Sequence, residues 1–151
     1  IYELRDMDVL KLEMILRPIG TFKKKAIFLK EICKRLIEDY DGIVPNNRKY
    51  LESLPGVGHK TVNVFLNEIY NVPTIAVDTH VFRVSNRIGL VDEDDVLKTE
   101  KTLMKVIPKN RWSHMHHVLI FHGRRCCTAR NPKCHECCIK NVCKYNQNNQ
   151  K

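Results

Sequence analysis

Leu54-Pro55-Gly56-Val57-Gly58-His59-Lys60-Thr61 is the stretch that decides the fold. Two glycines two positions apart, between segments of helical periodicity, mark a tight turn that needs positive φ or close backbone approach. The turn runs into a helix from His59, with Val62, Phe65, Leu66 and Ile69 on one face. A helix start turns N–H groups and the positive end of its dipole outward, which suits a phosphate, and Lys60 would stand beside such a phosphate. On the glycines alone, an ordinary corner between two helices with a solvated lysine fits equally well.

Working outward, the chain reads as helix nearly throughout. Leu29, Ile32, Cys33, Leu36, Ile37 and Tyr40 form one face of a helix over 21–40, with Thr21 as its cap and Asp41-Gly42 as its stop. A short helix around 48–53 follows Pro45. Beyond the hairpin, Asn71–Pro73 ends the helix from His59, and the apolar run Thr74–Val77 leads to Asp78. Asp78 stands where an N-cap belongs, ahead of Val81, Val84 and Ile88, with Gly89 as the stop. Asp94 and Asp95 open a helix carrying Leu103, Met104 and Ile107, and Trp112 to Phe121 makes one more before Gly123. No alternating strand and no internal repeat interrupts this pattern, so the expected class is all-α. The expected organisation is a helical domain over 1–123, a cysteine-rich loop over 124–146 and a tail over 147–151, with fraying from Asn146 onward. The chain opens on Ile1, directly into a helical pattern, and so reads as a fragment.

A chain of 151 residues suits one compact domain of roughly 100–200 residues. No stretch approaches the roughly 20 apolar residues of a membrane helix and no leader opens the chain, which argues for an intracellular, non-membrane protein. The net charge of +9 favours a polyanionic partner, of which nucleic acid is the commonest. From Arg124 onward there are seven basic residues and one acidic, so about two thirds of that surplus sits at the C-terminal end.

Six of the seven cysteines lie between Cys126 and Cys143, and the only earlier thiol is Cys33. A disulfide scaffold spreads its cysteines, whereas this clustering points to metal or cluster ligation. Cys127, Cys134, Cys137 and Cys143 are separated by six, two and five residues. Four thiolates suit either a tetrahedral zinc or an iron–sulfur cluster. The single C-x-x-C knuckle, Cys134-His135-Glu136-Cys137, is one fewer than a zinc ribbon uses. Cys126 and Cys138 adjoin these positions and are read as non-ligands. The tail is too polar to build its own core, so a ligated centre must hold it together. His114, His116, His117 and His122 do not share one helical face with a carboxylate, so a packed or solvated helix is expected there, not a second metal site.

The hairpin string, Val77-Asp78-Thr79-His80 eighteen residues after Lys60, and the cysteine tail together resemble the endonuclease III family of helix-hairpin-helix DNA glycosylases. The match covers nearly the whole chain in family order. It implies a helix-hairpin-helix glycosylase fold, a partial helical barrel closed by a C-terminal [4Fe–4S] loop on Cys127, Cys134, Cys137 and Cys143. It implies base-excision repair of damaged pyrimidines with abasic-site lyase activity, and as partner double-stranded DNA with damaged bases or abasic sites, bound by a monomer in the cytoplasm or nucleoid. Lys60 would attack C1′ of a flipped nucleotide, and Asp78 would activate it and stabilise the cationic sugar. A neutral amine is the nucleophilic form, and a helix start beside a second basic group, here His59, disfavours the cation. Gly56, Val57, Gly58, His59 and Thr61, with Arg130 and Lys133 of the cluster loop, would touch DNA; Asn131 stands where relatives often carry another basic residue. A lysine at this position, where related adenine glycosylases carry a small residue, implies lyase chemistry. The resemblance also implies helices ahead of Ile1, with a glutamine-containing stretch that fills the hole left by the flipped base. The rival reading is a non-catalytic DNA-binding module with a structural metal site made of four cysteines.

Overall fold

In a computed structural model, residues 1–149 are described, and they are helices, turns and extended connections with no strand among them. The chain divides into two compact units, Ile1–Val62 and Asn63–Lys151. Among the described residues no helix is long and apolar enough to cross a membrane.

In the first unit, α1 (Tyr2–Asp6) and α2 (Val9–Leu16) pack on α3 (Phe22–Tyr40), followed by α4 (Arg48–Glu52) and the start of α5 (His59–Tyr70). Local chemistry sets most boundaries. The Asp8 carboxylate accepts from the Leu10 and Lys11 amides and caps α2. Asn47 caps α4 through the Tyr50 amide. Asp41 and Gly42 turn left-handed (φ +51° and +82°), and the Gly42 amide donates back to the Leu36 carbonyl, closing α3. Thr21 departs from expectation: it is itself left-handed (φ 59°), and its hydroxyl donates to the Gly20 carbonyl instead of capping α3. Leu12, Ala26, Cys33, Leu36, Leu51 and Leu54 are buried.

In the second unit, the rest of α5 leads through a buried extended run, Thr74–Val77, to α6 (Thr79–Ile88). Next come α7 (Val96–Val106), a 3-10 turn (Lys109–Arg111), α8 (Trp112–Arg125), a second 3-10 turn (Cys134–Glu136) and α9 (Lys144–Asn148). α6 lies against α8 and α9. Ile75, Val77, Val81, Val84, Val91, Leu103, Ile107, Leu119 and Cys127 form its core. α7 is capped by Asp95, and α6 ends on Gly89 at φ +89°. Two boundaries differ from the sequence reading. α8 runs through Gly123 to Arg125, because this glycine is a packing position: a Cβ would lie 3.0 Å from Val84 Cγ2 and 3.1 Å from His80 Cβ. The expected fraying from Asn146 is instead the helix α9, where buried Asn146 donates to the Lys140 carbonyl at 3.0 Å; residues 150 and 151 lie outside the described residues.

Leu103 is fully buried (0% exposed), while Leu97 on the same helix is 51% exposed. Leu103→Ala should cost about 2–5 kcal/mol in denaturant unfolding of the whole protein, from lost transfer energy plus a cavity. Leu97→Ala should stay within about 0.5 kcal/mol. Equal losses at the two positions would place the core elsewhere.

Candidate functional site

The hairpin belongs to the first unit. The Val57 amide donates to the Leu54 carbonyl at 3.2 Å, and the Gly58 carbonyl accepts from the Val62 amide at 3.1 Å, which starts α5. The two glycines have different roles. Gly56 sits at φ +73°, and a Cβ there would meet Phe28 Cδ2 at 2.5 Å, so position 56 admits only glycine. Gly58 carries no such strain, and nothing lies within 4 Å of a Cβ built on it; it faces open space. Val57 is half-buried, whereas Gly58, His59, Lys60 and Thr61 are exposed. The His59 ring lies 3.0 Å from Glu52 Oε1, which also accepts from Arg48 at 3.2 Å. The bond to His59, helped by that to Arg48, holds the Glu52 carboxyl below its ordinary range. The basic neighbour offered to Lys60 by the sequence is therefore paired with a carboxylate.

Asp78 belongs to the second unit and is the N-cap of α6. Its Oδ1 accepts from the His80 and Val81 amides, both at 2.8 Å. The buried run behind it (Ile75, Ala76 and Val77) fixes where that carboxylate stands. Two amides thus hydrogen-bond the same oxygen at the start of α6.

Cys127, Cys134, Cys137 and Cys143 line one cavity, together with Cys126, His122 and Tyr145. Different elements supply them: Cys127 follows α8, Cys134 opens the 3-10 turn that Cys137 closes, and Cys143 is the residue before α9. Cys127, Cys137 and Cys143 are buried, and Cys134 is half-buried. Burial, then the neighbouring thiols at Cys127, Cys143 and Cys137, push the Cys134 thiol up. Burial and a hydrogen bond with Cys137 push that of Cys126 up to about 11. Thiols crowded this way ionise together when a cation compensates them, which is the donor chemistry of an iron–sulfur centre. Two features were not read from the sequence. Arg87 approaches Cys127 Sγ at 3.7 Å, donates to the carbonyls of Thr128 (2.7 Å) and Ala129 (3.1 Å), and stacks over Tyr145 at 4.7 Å. His122 Nε2 lies 3.8 Å from Cys137 Sγ, and His122, Cys126 and Cys137 bring their ligand atoms within 4.8 Å of one another. Only the one-turn spacing of His122 and Cys126 hinted at the second.

The loop over 128–133 has a fixed backbone and outward basic side chains. The Thr128 hydroxyl donates to the carbonyls of Arg130 (2.7 Å) and Asn131 (3.1 Å), and Asn131 is left-handed at φ +51°. Arg130 and Lys133 are exposed. Two other histidines are accounted for by packing and pairing: buried His116 bonds to the Ala76 carbonyl at 2.7 Å, and His117 to Glu68 at 3.1 Å.

Residues 2–109 match a family model described as HhH-GPD superfamily base excision DNA repair protein, the class that the hairpin and all-helical fold define. Residues 127–143, from the first to the last of the four spaced cysteines, match the iron–sulfur binding domain of endonuclease III. The chain belongs to the endonuclease III family, and this segment is its iron–sulfur centre. Endonuclease III of Haemophilus influenzae is 46% identical over 142 residues, covering 94% of this chain and 67% of the relative. That of Bacillus subtilis is 46% identical over 142 residues, covering 93% and 65%. A solved structure of a trapped endonuclease III–DNA covalent intermediate superposes with a TM-score of 0.93 at 43% identity, over 99% of this chain and 71% of that one. The chain thus spans about two thirds of the length of these curated relatives.

The purified protein should be yellow-brown, with about four irons and matching sulfide per chain. Cys134→Ser should lower both and the visible absorption with them. Stoichiometric zinc without sulfide in protein from iron-replete cells would overturn the cluster assignment.

Proposed function

We propose that the whole protein is a bifunctional base-excision enzyme that removes damaged pyrimidines from double-stranded DNA and then cleaves the strand at the abasic site. The observation that carries this reading is Lys60 in the first turn of α5, directly behind an open glycine hairpin, in a chain of the endonuclease III family. An amine can form a covalent bond to the sugar of DNA, and a related endonuclease III has been trapped as a covalent intermediate with DNA.

In this reading the damaged nucleotide leaves the stack at a cost of a few kcal/mol, least for lesions that pair poorly. The neutral Lys60 amine attacks C1′, and the bond from C1′ to the base breaks. The base departs with the bonding electrons and gains a proton. The lysine nitrogen loses one of its two protons. As the C1′–O4′ bond breaks, O4′ takes the bonding electrons and a proton from solvent, and the nitrogen, keeping its other proton, remains as an iminium on C1′. Loss of a proton from C2′ then expels the 3′ phosphate by β-elimination. Asp78 helps to activate the amine, and its carboxylate stabilises the positive charge that develops on the sugar. Backbone at Gly56, Val57, Gly58, His59 and Thr61 binds phosphate, and Arg130 and Lys133 supply a second set of phosphate contacts. Cys127, Cys134, Cys137 and Cys143 hold a [4Fe–4S] cluster, which ties down the loop carrying those two basic residues. The helical part up to residue 123 carries the chemistry, and the loop over 124–146 the second grip. The protein acts as an intracellular monomer at the nucleoid.

Lys60→Gln should abolish borohydride trapping on abasic DNA while leaving DNA affinity nearly intact. Asp78→Asn should slow base removal by about 100-fold or more, with little change in melting because asparagine also caps helices well. A Lys60→Gln protein that still traps and cleaves would favour the non-catalytic reading of this lysine.

Binding should weaken steeply with salt. Lys133→Ala should reduce the log–log salt slope by roughly 0.9, the share of one phosphate contact. An unchanged slope would remove this side chain from the interface.

A further inference from the structure

His122 and Cys126 lie one turn apart at the end of α8, joined by the bond from the Cys126 amide to the His122 carbonyl at 2.9 Å. The Cys134–Glu136 turn brings Cys137 to them, with its Sγ 3.8 Å from His122 Nε2. His122 Nε2, Cys126 Sγ and Cys137 Sγ all lie within 4.8 Å of one another. A tetrahedral zinc ion with Zn–S of about 2.3 Å and Zn–N of about 2.0–2.1 Å sets N···S edges near 3.6 Å and an S···S edge near 3.8 Å. The observed spacing needs only a small contraction to meet that geometry. One imidazole with two thiolates is a borderline-soft donor set that suits zinc and leaves a fourth position for water.

We propose that His122, Cys126 and Cys137 form a second metal site, for a divalent cation of the zinc type, that competes with the iron–sulfur centre for Cys137. Binding releases the two thiol protons to solvent and involves no redox change. The cysteine loop then has two exclusive loaded forms, cluster on the four spaced cysteines or a single divalent ion on the His–Cys–Cys set. This assigns a task to Cys126, which the four-cysteine pattern leaves out. The competition, though not the site itself, rests on the reading of Cys137 as a cluster ligand.

The test uses the whole protein produced in iron-depleted, cobalt-supplemented medium, with Co²⁺ as the spectroscopic probe and circular dichroism confirming equal helicity of every variant. One Co²⁺ per chain is expected, with a tetrahedral visible spectrum and a thiolate-to-cobalt charge-transfer band of two-sulfur intensity. Loss of a mere outer-shell partner costs roughly 10–100-fold in metal affinity, so Cys126→Ser and His122→Gln should each weaken Co²⁺ binding at least that much. Cys134→Ser and Cys143→Ser should bind Co²⁺ as the unaltered protein does. Unchanged binding in Cys126→Ser, or loss of binding in Cys134→Ser and Cys143→Ser, would overturn the site. The same variants from iron-replete cells test the cluster separately. Full iron and sulfide in Cys126→Ser and His122→Gln, with loss in Cys134→Ser, is the expected pattern. Full iron in Cys134→Ser would sink the cluster ligand set while leaving the cobalt result to judge the second site.

Discussion

Position 123 is packed tightly enough that a Cβ there would stand 3.0 Å from Val84 and 3.1 Å from His80 and push those neighbours back by a few tenths of an ångström. That limit lets α8 lie close against α6, and the rest of the C-terminal unit follows from the crossing. At this approach Arg83 reaches across to the carbonyls of Gly123 (2.9 Å) and Cys127 (3.0 Å). One turn further along α6, Arg87 takes the carbonyls of Thr128 and Ala129 and comes to within 3.7 Å of the Cys127 sulfur. α6 has only ten residues, roughly 15 Å, yet its first end is capped by Asp78 and its flank holds the cysteine loop. The candidate catalytic carboxylate and the iron–sulfur segment are therefore registered on one short rigid rod.

What the sequence disclosed was whatever is decided within a turn of the residue concerned. Asp78, Asp95 and the Asp41-Gly42 stop act on amides or carbonyls a few positions away, and each does in the structure what its place in the pattern foretold. The exposed lysine behind the hairpin was equally legible, because glycine spacing and helix start are local facts. The misreadings share the opposite character. Gly123 looks like a helix stop until a second helix is laid against it. Thr21 looks like a cap until its own backbone turns left-handed and its hydroxyl finds the Gly20 carbonyl. His59 looks like a neighbour for Lys60 until Glu52, seven positions back, takes its ring. Each depended on a partner or a backbone turn that no local pattern encodes.

The hairpin glycines separate two demands that sequence merges. Gly56 is required by conformation and by Phe28, and its role is internal to the turn. Gly58 is under no such demand: nothing lies within 4 Å of a Cβ built there, so the start of α5 is open on that side. A substitution at 56 acts through the shape of the turn, whereas one at 58 would fill open space beside the helix start. The same Pro-Gly-Val-Gly string thus joins a position fixed by folding to one left open, two residues apart.

The cysteine loop shows how a polar segment is ordered without a core of its own. From Cys127 to Asn149 the buried side chains are Cys127, Cys137, Cys143 and Asn146, so apolar burial contributes little there. Backbone ordering still costs free energy for every residue fixed. The bonds from Arg83 and Arg87 pin the loop's first residues, and the Asn146 bond to Lys140 pins its last turn. Between those anchors the interior of the loop is thiols facing one cavity, and neutral thiols are weak donors and weak acceptors. Ligation changes that, because coordinate bonds to thiolates replace contacts that are individually too weak to hold the turn. Order in the loop that presents Arg130 and Lys133 is therefore coupled to the metal centre.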